Sequence, residues 1–317
     1  MSDIAAIDIG GTHARFAPAL VEGGRVVSLG EPCTLRTSDY PGLLEAWEAF
    51  RDQTGAPTGS GAAIAFAGPV GGDTLKLTNN EWVLRPATIA DELGVDRCRI
   101  VNDFGAVAHA VAHLPESEIR HLAGPDKPLP EEGLISIVGP GTGLGVAMLL
   151  RRSGHNHVIE TEGAHTDFAP LDEVDDRILA FLRERYGRVS VERVVSGTGL
   201  ANIHEALGGQ RQDGKELWTA ALAGSDPAAA PALDRFCLSL GSAAGDLALA
   251  QGASAVVIAG GLGLRLAGRL PNSGFYGRFT AKGRYRGMME AMPVKLITHP
   301  QPGLYGAAAA FAEQYAS

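Results

Sequence analysis

The sequence predicts an α/β protein built from two similar domains. Its 317 residues correspond to about two domains of ordinary size, and 45% of them are apolar, which is enough for sizeable cores. One pattern also occurs twice: an apolar strand, a glycine turn that contains a threonine (Thr12 or Thr142), and a second apolar strand. This repeat predicts two related α/β domains that face a cleft. A chance likeness between two glycine-rich turns is the alternative.

The composition excludes several classes of function. Asp and Glu number 36 against 27 for Lys and Arg, a net charge of −9, so we expect no nucleic-acid partner, although a local basic pocket is compatible with this balance. No apolar stretch reaches 18 residues, so we expect no membrane partner. The first residues lack the basic and long apolar segments of a signal peptide. The three cysteines are too far apart for a disulfide framework or a zinc site. We therefore expect a cytoplasmic protein with reduced thiols.

In the first third of the chain, apolar runs separated by glycines predict strands, and 3.6-residue spacing predicts helices. Residues 4–9, 14–20 and 26–29 are expected to form an antiparallel meander with glycine turns. Further strands are expected at residues 62–66 and 100–101, and helices at 40–51, 88–93 and 104–112. Thr88 is expected to be the N-cap of its helix.

A stretch rich in Pro, Gly and charge, residues 115–133, is the expected domain boundary. The second strand–turn–strand unit follows at residues 134–138 and 144–150. Helices are predicted at 172–186, 199–207, 217–222, 226–251 and 304–315, and a strand at 256–259.

Two glycine turns are candidate phosphate-binding sites. In the segment Asp8-Ile9-Gly10-Gly11-Thr12, glycines bring backbone N–H groups close to a phosphate and the Thr hydroxyl adds a donor. Asp8 is a candidate Mg²⁺ ligand, with water in between. The turn Gly141-Thr142-Gly143 offers a second clamp of the same kind. An ordinary hairpin turn is the alternative for each.

Other segments concentrate groups that suit a polyhydroxylated ligand. Asn102 and Asp103 stand where a strand passes into a helix, so Asp103 is a candidate proton acceptor and Asn102 a hydroxyl partner, with helix capping as the alternative. Glu162, His165 and Glu192 are further candidates to bind hydroxyl groups. A structural histidine and a solvated carboxylate at a helix start are the alternatives for His165 and Glu192.

The common nucleotide motifs do not account for this chain. No G-x-G-x-x-G stands between a predicted strand and a helix, which argues against a dinucleotide-binding domain. The string from Gly209 to Lys215 is close to a P-loop, but Glu216 stands where Ser or Thr is required. It is expected to be a surface turn. Gly260 and Gly261 end a strand and are either a nucleotide contact or a simple turn.

Taken together in order, these residues resemble a known family. The set comprises Asp8–Thr12, 77–80 (LTNN), 102–104 (NDF), 139–145 (GPGTGLG), 162–165 (EGAH), 192–197 (ERVVSG) and Gly260-Gly261. It resembles the ATP-dependent bacterial glucokinases, in the hexokinase-like branch of the sugar kinase/actin/Hsp70 superfamily, over nearly the whole chain. The family's zinc-binding relatives carry a cysteine cluster that this sequence lacks.

The resemblance implies two ribonuclease-H-like (actin-like ATPase) domains around a central cleft. The smaller would comprise residues 1–113 with 303–317, and the larger residues 114–302. It also implies a homodimer that uses ATP and Mg²⁺ to phosphorylate D-glucose at its 6-hydroxyl. Closure of the cleft over the sugar is a separate hypothesis, which the two-domain repeat motivates because water is a competing nucleophile.

The resemblance also implies roles for individual residues. Asp103 would be the general base, and the sugar hydroxyls would be bound by Asn102, Asp103, Glu162, His165 and Glu192. The nucleotide would contact Ile7, Asp8, Ile9, Gly10, Gly11, Thr12, Gly141, Thr142, Gly143, Gly260 and Gly261. Two positions depart from the family pattern: His13 where Asn is frequent, and Ala164 where Gly is common. Neither departure removes a proposed catalytic group.

Two alternatives to a glucokinase remain open from the residues alone. One is a kinase of another hexose, because the stereochemistry of the pocket cannot be inferred from the sequence. The other is a non-catalytic, actin-like ATP-binding or sugar-sensing protein. The Glu162, His165 and Glu192 set argues against the latter, because an assembly protein has no need of a hydroxyl-binding cage.

Overall fold

A computed structural model describes residues 1–55, 60–77 and 80–315. Thr78 and Asn79, part of the motif at 77–80, lie outside the described residues. The chain forms two compact units, Met1–Pro115 with His299–Ser317, and Glu116–Thr298. The α/β class predicted from the sequence is confirmed.

The first unit holds eight strands and four helices among its described residues. Its strands are β1 (Ser2–Ile9), β2 (His13–Glu22), β3 (Arg25–Leu29), β4 (Cys33–Arg36), β5 (Gly61–Phe66), β6 (Leu75–Lys76), β7 (Val83–Leu84) and β8 (Arg97–Asn102). Its first three helices are α1 (Leu43–Thr54), α2 (Ile89–Leu93) and α3 (Asp103–His113). The last helix of the chain, described below, completes it.

The second unit holds six strands and seven helices among its described residues. The strands are β9 (Ile119–Ala123), β10 (Gly133–Pro140), β11 (Leu144–Arg152), β12 (His155–Thr161), β13 (Ala255–Ile258) and β14 (Val294–Ile297). The helices are α4 (Glu173–Tyr186), α5 (Gly199–Ala206), α6 (Gly214–Ala223), α7 (Ala230–Gln251), α8 (Gly260–Arg265), α9 (Phe275–Thr280) and α10 (Arg286–Glu290). Helix α11 (Pro302–Gln314) then returns to the first unit.

The main sheet of the first unit runs in the order β3-β2-β1-β5-β8, with β4 also paired to β2. Side chains alternate across β1 because successive residues of a strand point to opposite faces. Ile7 and Ile9 join the core that contains Trp47 and Phe50 of α1, whereas Ala6 joins the core that contains α11. The same alternation puts Asp8 on the α11 face of the sheet.

Helices α3 and α11 approach each other very closely. A Cβ built on Gly306 of α11 would lie 1.7 Å from the carbonyl oxygen of Ala106 on α3, so only glycine fits there. The next residues of α11, five alanines and Phe311 at 307–312, are all buried. Small side chains therefore hold α3 in a fixed position relative to the sheet.

The sheet of the second unit runs in the order β12-β11-β10-β13-β14-β9. Its long helix α7 packs against α9 through Gly241, whose Cβ would lie 2.1 Å from the Phe275 carbonyl oxygen. Phe236 and Trp218 meet edge to face in the same core, with ring centroids 4.9 Å apart.

The repeat seen in the sequence is a repeat of topology. In the first unit β1 pairs with β2 in antiparallel and with β5 in parallel fashion. In the second unit β10 pairs with β11 in antiparallel and with β13 in parallel fashion. Each glycine turn joins the antiparallel pair, so the two copies are equivalent hairpins at the centre of their sheets.

Some local predictions need correction. Thr88 is the N-cap residue of α2, as predicted, but its side chain makes no cap hydrogen bond. Its hydroxyl donates instead to Glu92 Oε1 at 2.6 Å. The first unit ends at Pro115, the first residue of the predicted boundary segment 115–133. The rest of that segment also contains strand β9, because Ile119 and Leu122 are buried beside β14. The P-loop-like string was expected to be a surface turn, but its last two residues, Gly214 and Lys215, are the first residues of α6, which Asp213 caps.

Among residues 1–55, 60–77 and 80–315, none of the helices has both the length and the apolar character that a membrane span requires.

Candidate active site

The turn that follows β1 is held in one conformation by hydrogen bonds. Gly10 N–H donates to the His13 carbonyl at 2.9 Å and closes the turn. Thr37 engages the other side of the turn, because its hydroxyl donates to the Gly11 carbonyl at 2.9 Å and its N–H to the Thr12 carbonyl at 3.1 Å. Thr12 itself is exposed. A rigid glycine turn with an exposed hydroxyl has the donor chemistry that a phosphate requires.

Ile7 and Ile9 differ from the rest of this segment. Both side chains are fully buried in the core that faces α1. Any contact that these two residues make with a nucleotide would therefore come from their backbone.

Asp8 is the titratable group of this turn. Its carboxylate lies 3.3 Å from Arg15 Nη1, and a Cβ on Gly303 of α11 would lie 3.1 Å from Oδ2. Burial raises the pKa of Asp8 above its ordinary value of 3.8, and Arg15 opposes that rise. The described residues contain no cluster of three or more His, Cys, Asp or Glu side chains that could hold a metal ion. One carboxylate beside a phosphate-binding turn is the donor set with which proteins usually hold Mg²⁺, since phosphate oxygens supply further ligands.

Asn102 is the N-cap of α3 and fixes Asp103, the first residue of that helix. Its Oδ1 accepts hydrogen bonds from the N–H groups of Phe104 at 2.8 Å and Gly105 at 3.1 Å. Its Nδ2 donates to the Gly68 carbonyl at 3.1 Å. The capping function considered from the sequence is thus present, and it leaves Asp103 half-buried in the first turn of α3.

Asp8 and Asp103 lie at the same edge of their sheet. In the parallel strands, Ile9 of β1 is level with Phe66 of β5, and Phe66 is level with Asn102 of β8. Both acidic residues therefore stand at the carboxyl ends of the strands, where open α/β sheets bind their ligands.

The second glycine turn, Gly141–Gly143, joins β10 to β11. Gly141 N–H donates to the Gly143 carbonyl at 2.8 Å, and Gly197 N–H donates to the Gly141 carbonyl at 2.7 Å. The carboxylate of Glu192 accepts from Leu144 N–H at 3.0 Å. The structure therefore brings Glu192 directly against the predicted phosphate turn.

Gly260 joins the same region of the second unit. It has a φ of +77°, and a Cβ there would lie 2.5 Å from the Pro140 carbonyl oxygen. Gly261 differs, because nothing lies within 4 Å of its Cβ position. Gly260 is thus needed for backbone packing beside the turn, and Gly261 leaves open space.

Glu162 and His165 follow the edge strand β12 in a single helical turn. The His165 Nε2 and Glu162 Oε2 atoms lie 3.7 Å apart, and both side chains are more than half exposed. Val191 N–H donates to the Thr166 carbonyl at 2.9 Å, which links this turn to the one that carries Glu192. The three predicted sugar-binding side chains thus stand on two connected turns of the second unit.

Comparison with known proteins identifies the family. The glucokinase family model matches residues 5–314 of the chain. The chain belongs to the glucokinase family. It is 60% identical to the glucokinase of Zymomonas mobilis over 319 residues, with 99% of this chain and 98% of that protein covered. The family predicted from the motifs is therefore confirmed.

Solved glucokinases share the fold. The crystal structure of a glucokinase from an Antarctic psychrotroph superimposes with a TM-score of 0.85 at 31% identity, covering 98% of each chain. A ROK family glucokinase from Streptomyces griseus, solved in complex with glucose and AMPPNP, gives a TM-score of 0.65 at 20% identity, covering 98% of this chain and 99% of that one. The latter likeness concerns the fold alone.

Three residues contact these glucokinase motifs in ways that the sequence did not predict, and of them only Gly197 belonged to a recognised motif, at residues 192–197. Arg15 pairs with Asp8, Thr37 holds the first turn, and Gly197 holds the second. The pairing of Arg15 with Asp8 could have been predicted from the sequence, because a four-residue turn at Gly10–His13 makes these two residues cross-strand partners. Thr37 approaches from a distant part of the chain and gives no local signal. Gly197 ends the 192–197 motif, but nothing in that motif indicates that its N–H bonds to Gly141.

Proposed function

We propose that the chain is an ATP-dependent glucokinase, which transfers the γ-phosphoryl group of ATP to the 6-hydroxyl of D-glucose and releases glucose 6-phosphate and ADP. Membership of the glucokinase family supports this activity. The observation that carries the proposal is the position of Asp103. It is half-buried at the carboxyl edge of the sheet, on a helix start that Asn102 caps.

Asp103 is the general base. The oxygen of the 6-hydroxyl attacks the γ-phosphorus, its proton passes to the Asp103 carboxylate, and the bond to the β–γ bridging oxygen breaks with its electron pair left on ADP. A carboxylate suffices as the base if the transition state is loose, because the hydroxyl proton is then lost late.

Four other residues bind the sugar in this proposal. They are Asn102 in the first unit, and Glu162, His165 and Glu192 in the second. Carboxylates accept from hydroxyl groups, while the imidazole and amide groups both donate and accept. A site that bonds each hydroxyl rejects sugars that lack one by a large factor, because its polar groups are then left unpaired.

The two glycine turns bind the phosphates. Gly11, Thr12, Thr142 and Gly143 supply backbone N–H groups and threonine hydroxyls, because the N–H groups of Gly10 and Gly141 already close their own turns. Gly260-Gly261 lies beside the adenosine. Asp8 is the side chain that would hold Mg²⁺, through water. When bound, the ion neutralises charge on the triphosphate and on the transferring group.

The proposal also includes a homodimer in the cytoplasm. Homodimerisation follows from the resemblance to bacterial glucokinases, and light scattering coupled to size-exclusion chromatography measures it directly. Cys33, Cys98 and Cys237 are free thiols, which supports a reducing compartment.

The test is ADP release from Mg-ATP with glucose, mannose, fructose or N-acetylglucosamine as acceptor. We expect turnover with glucose, and for Asp103→Asn a loss of about 10²–10⁴ in kcat with glucose still bound. Asp52→Asn, on the exposed face of α1, is the control for an equal change of charge. Faster turnover with another sugar would make the chain a kinase of that hexose. No turnover with any of them would overturn the proposed function.

A further inference from the structure

Glu192 makes two close approaches to the turn between β10 and β11. Its Oε2 accepts a hydrogen bond from Leu144 N–H at 3.0 Å. The same oxygen lies only 2.5 Å from the place where a Cβ on Gly143 would stand. The carboxylate therefore occupies the space that a side chain at position 143 would fill, and it fixes the residue that follows the turn.

The backbone that carries Glu192 is itself held on both sides. Val191 N–H donates to the Thr166 carbonyl at 2.9 Å, beside the turn of Glu162 and His165. Asn202, which is only 4% exposed, donates from Nδ2 to the Arg193 carbonyl at 2.8 Å. With its backbone held in this way, Glu192 cannot follow a movement of the glycine turn without losing its bond to Leu144.

We propose that Glu192 is a positioning residue that couples sugar binding to the phosphate turn. This inference rests on the proposed function, in which Glu192 binds a sugar hydroxyl and Gly141–Gly143 binds phosphate. Because Oε2 of Glu192 already accepts a hydrogen bond from Leu144 N–H, the sugar hydroxyl donates to Oε1. A bound sugar orients the carboxylate, and the oriented carboxylate holds the turn in its phosphate-binding shape. Bound glucose therefore raises the affinity of the protein for nucleotide. Thermodynamic linkage then requires that bound nucleotide raise the affinity for glucose by the same factor.

A matched pair of glycine substitutions tests this coupling. Gly143→Ala puts a methyl group against Glu192 Oε2, whereas Gly141→Ala, two residues away in the same turn, meets nothing within 4 Å. The readout is the Kd for glucose by calorimetry without nucleotide, so that direct effects on ATP do not enter. We expect Gly143→Ala to weaken glucose binding by about tenfold or more, and Gly141→Ala by less than about twofold.

A double-mutant cycle assigns the effect to Glu192. In a Glu192→Ala background, Gly143→Ala should weaken glucose binding by less than about twofold more, because the carboxylate that it displaces is gone. Equal losses with and without Glu192 would overturn the inference, as would wild-type glucose affinity in a folded Gly143→Ala protein. If the unsubstituted protein itself bound no glucose, the proposed function and the inference would both fail.

A second measurement does not depend on Gly143. The affinity for AMPPNP is compared with and without saturating glucose. We expect glucose to tighten AMPPNP binding in the wild type and in Glu192→Gln, whose amide oxygen still accepts from Leu144 N–H and whose amide still meets a hydroxyl. The enhancement should fall to about onefold in Glu192→Ala. Retention of the enhancement in Glu192→Ala would overturn the inference.

Discussion

Arg15 and Asp8 are cross-strand partners in the β1–β2 hairpin, with Arg15 Nη1 3.3 Å from Asp8 Oδ2. Burial raises the pKa of Asp8, and the guanidinium limits that rise. Arg15 therefore helps to keep Asp8 ionised, which is the form that binds a cation. In the proposed function, Arg15 would in this way favour the form of the half-buried Asp8 carboxylate that holds Mg²⁺.

Removing Arg15 should make activity more sensitive to acid. In Arg15→Gln the pKa of Asp8 rises further, so Asp8 takes up its proton at a higher pH as the solution is acidified. We expect the acid limb of the kcat/KM profile for Mg-ATP to move upward by about one pH unit. Arg36→Gln, an exposed position on β4, is the control with the same change of charge. An unchanged acid limb in Arg15→Gln would contradict this account of Asp8.

The sequence predicted the centre of each sheet well. Strand β1, the glycine turn and strand β2 are local features, in which apolar runs and glycines act over a few residues. The turn at Gly141–Gly143 was found for the same reason, and so was the start of α3, where Asn102 and Asp103 combine a cap with an acidic first turn. These features depend on interactions between residues close together in the chain, so a single sequence is enough to predict them.

What the sequence could not supply depends on distant parts of the chain. The bond from Leu144 N–H to Glu192 joins residues 48 positions apart, and nothing in either segment indicates its partner. Strand β9 was not recognised in a segment rich in Pro, Gly and charge, because its three buried residues, Ile119, Leu122 and Ala123, become buried only beside β14. Long-range packing of this kind follows from the whole fold.

The adjacent glycines Gly260 and Gly261 should respond differently to substitution. Gly260 has a positive φ, and its Cβ would collide with the Pro140 carbonyl oxygen, whereas the Cβ position of Gly261 is open. We expect Gly260→Ala to lower the free energy of unfolding by about 2–4 kcal/mol. Gly261→Ala should change it by less than about 1 kcal/mol, while raising the KM for ATP if the adenosine lies there. Urea unfolding and steady-state kinetics measure the two effects. Equal stability losses would show that the approach to Pro140 is not what requires Gly260.

A carboxylate between two histidines should stabilise the first unit through the contact of α3 with α11. Glu313 Oε2 lies 2.8 Å from His109 Nδ1, and Glu313 Oε1 lies 2.5 Å from His113 Nε2. Burial alone would raise the pKa of Glu313, but the hydrogen bonds and charges of His109 and His113 lower it from 4.5 to about 2. The folded state therefore favours the ionised form of this glutamate.

We expect Glu313→Gln to lower the free energy of unfolding by about 1–3 kcal/mol at pH 6, because it removes the charge that both histidines contact. Glu290→Gln removes a carboxylate from the exposed Arg286–Glu290 pair of α10 and should lower the free energy of unfolding much less, because exposed ion pairs contribute little. A group with a lowered pKa contributes stability above its unfolded pKa and loses it as the pH falls through the folded value. The difference between wild type and Glu313→Gln should therefore hold down to about pH 5 and shrink between pH 4.5 and about 2. Urea unfolding over this pH range measures the difference in free energy of unfolding between the two proteins. If that difference grew on acidification, the two histidines would not be holding Glu313 in its ionised form.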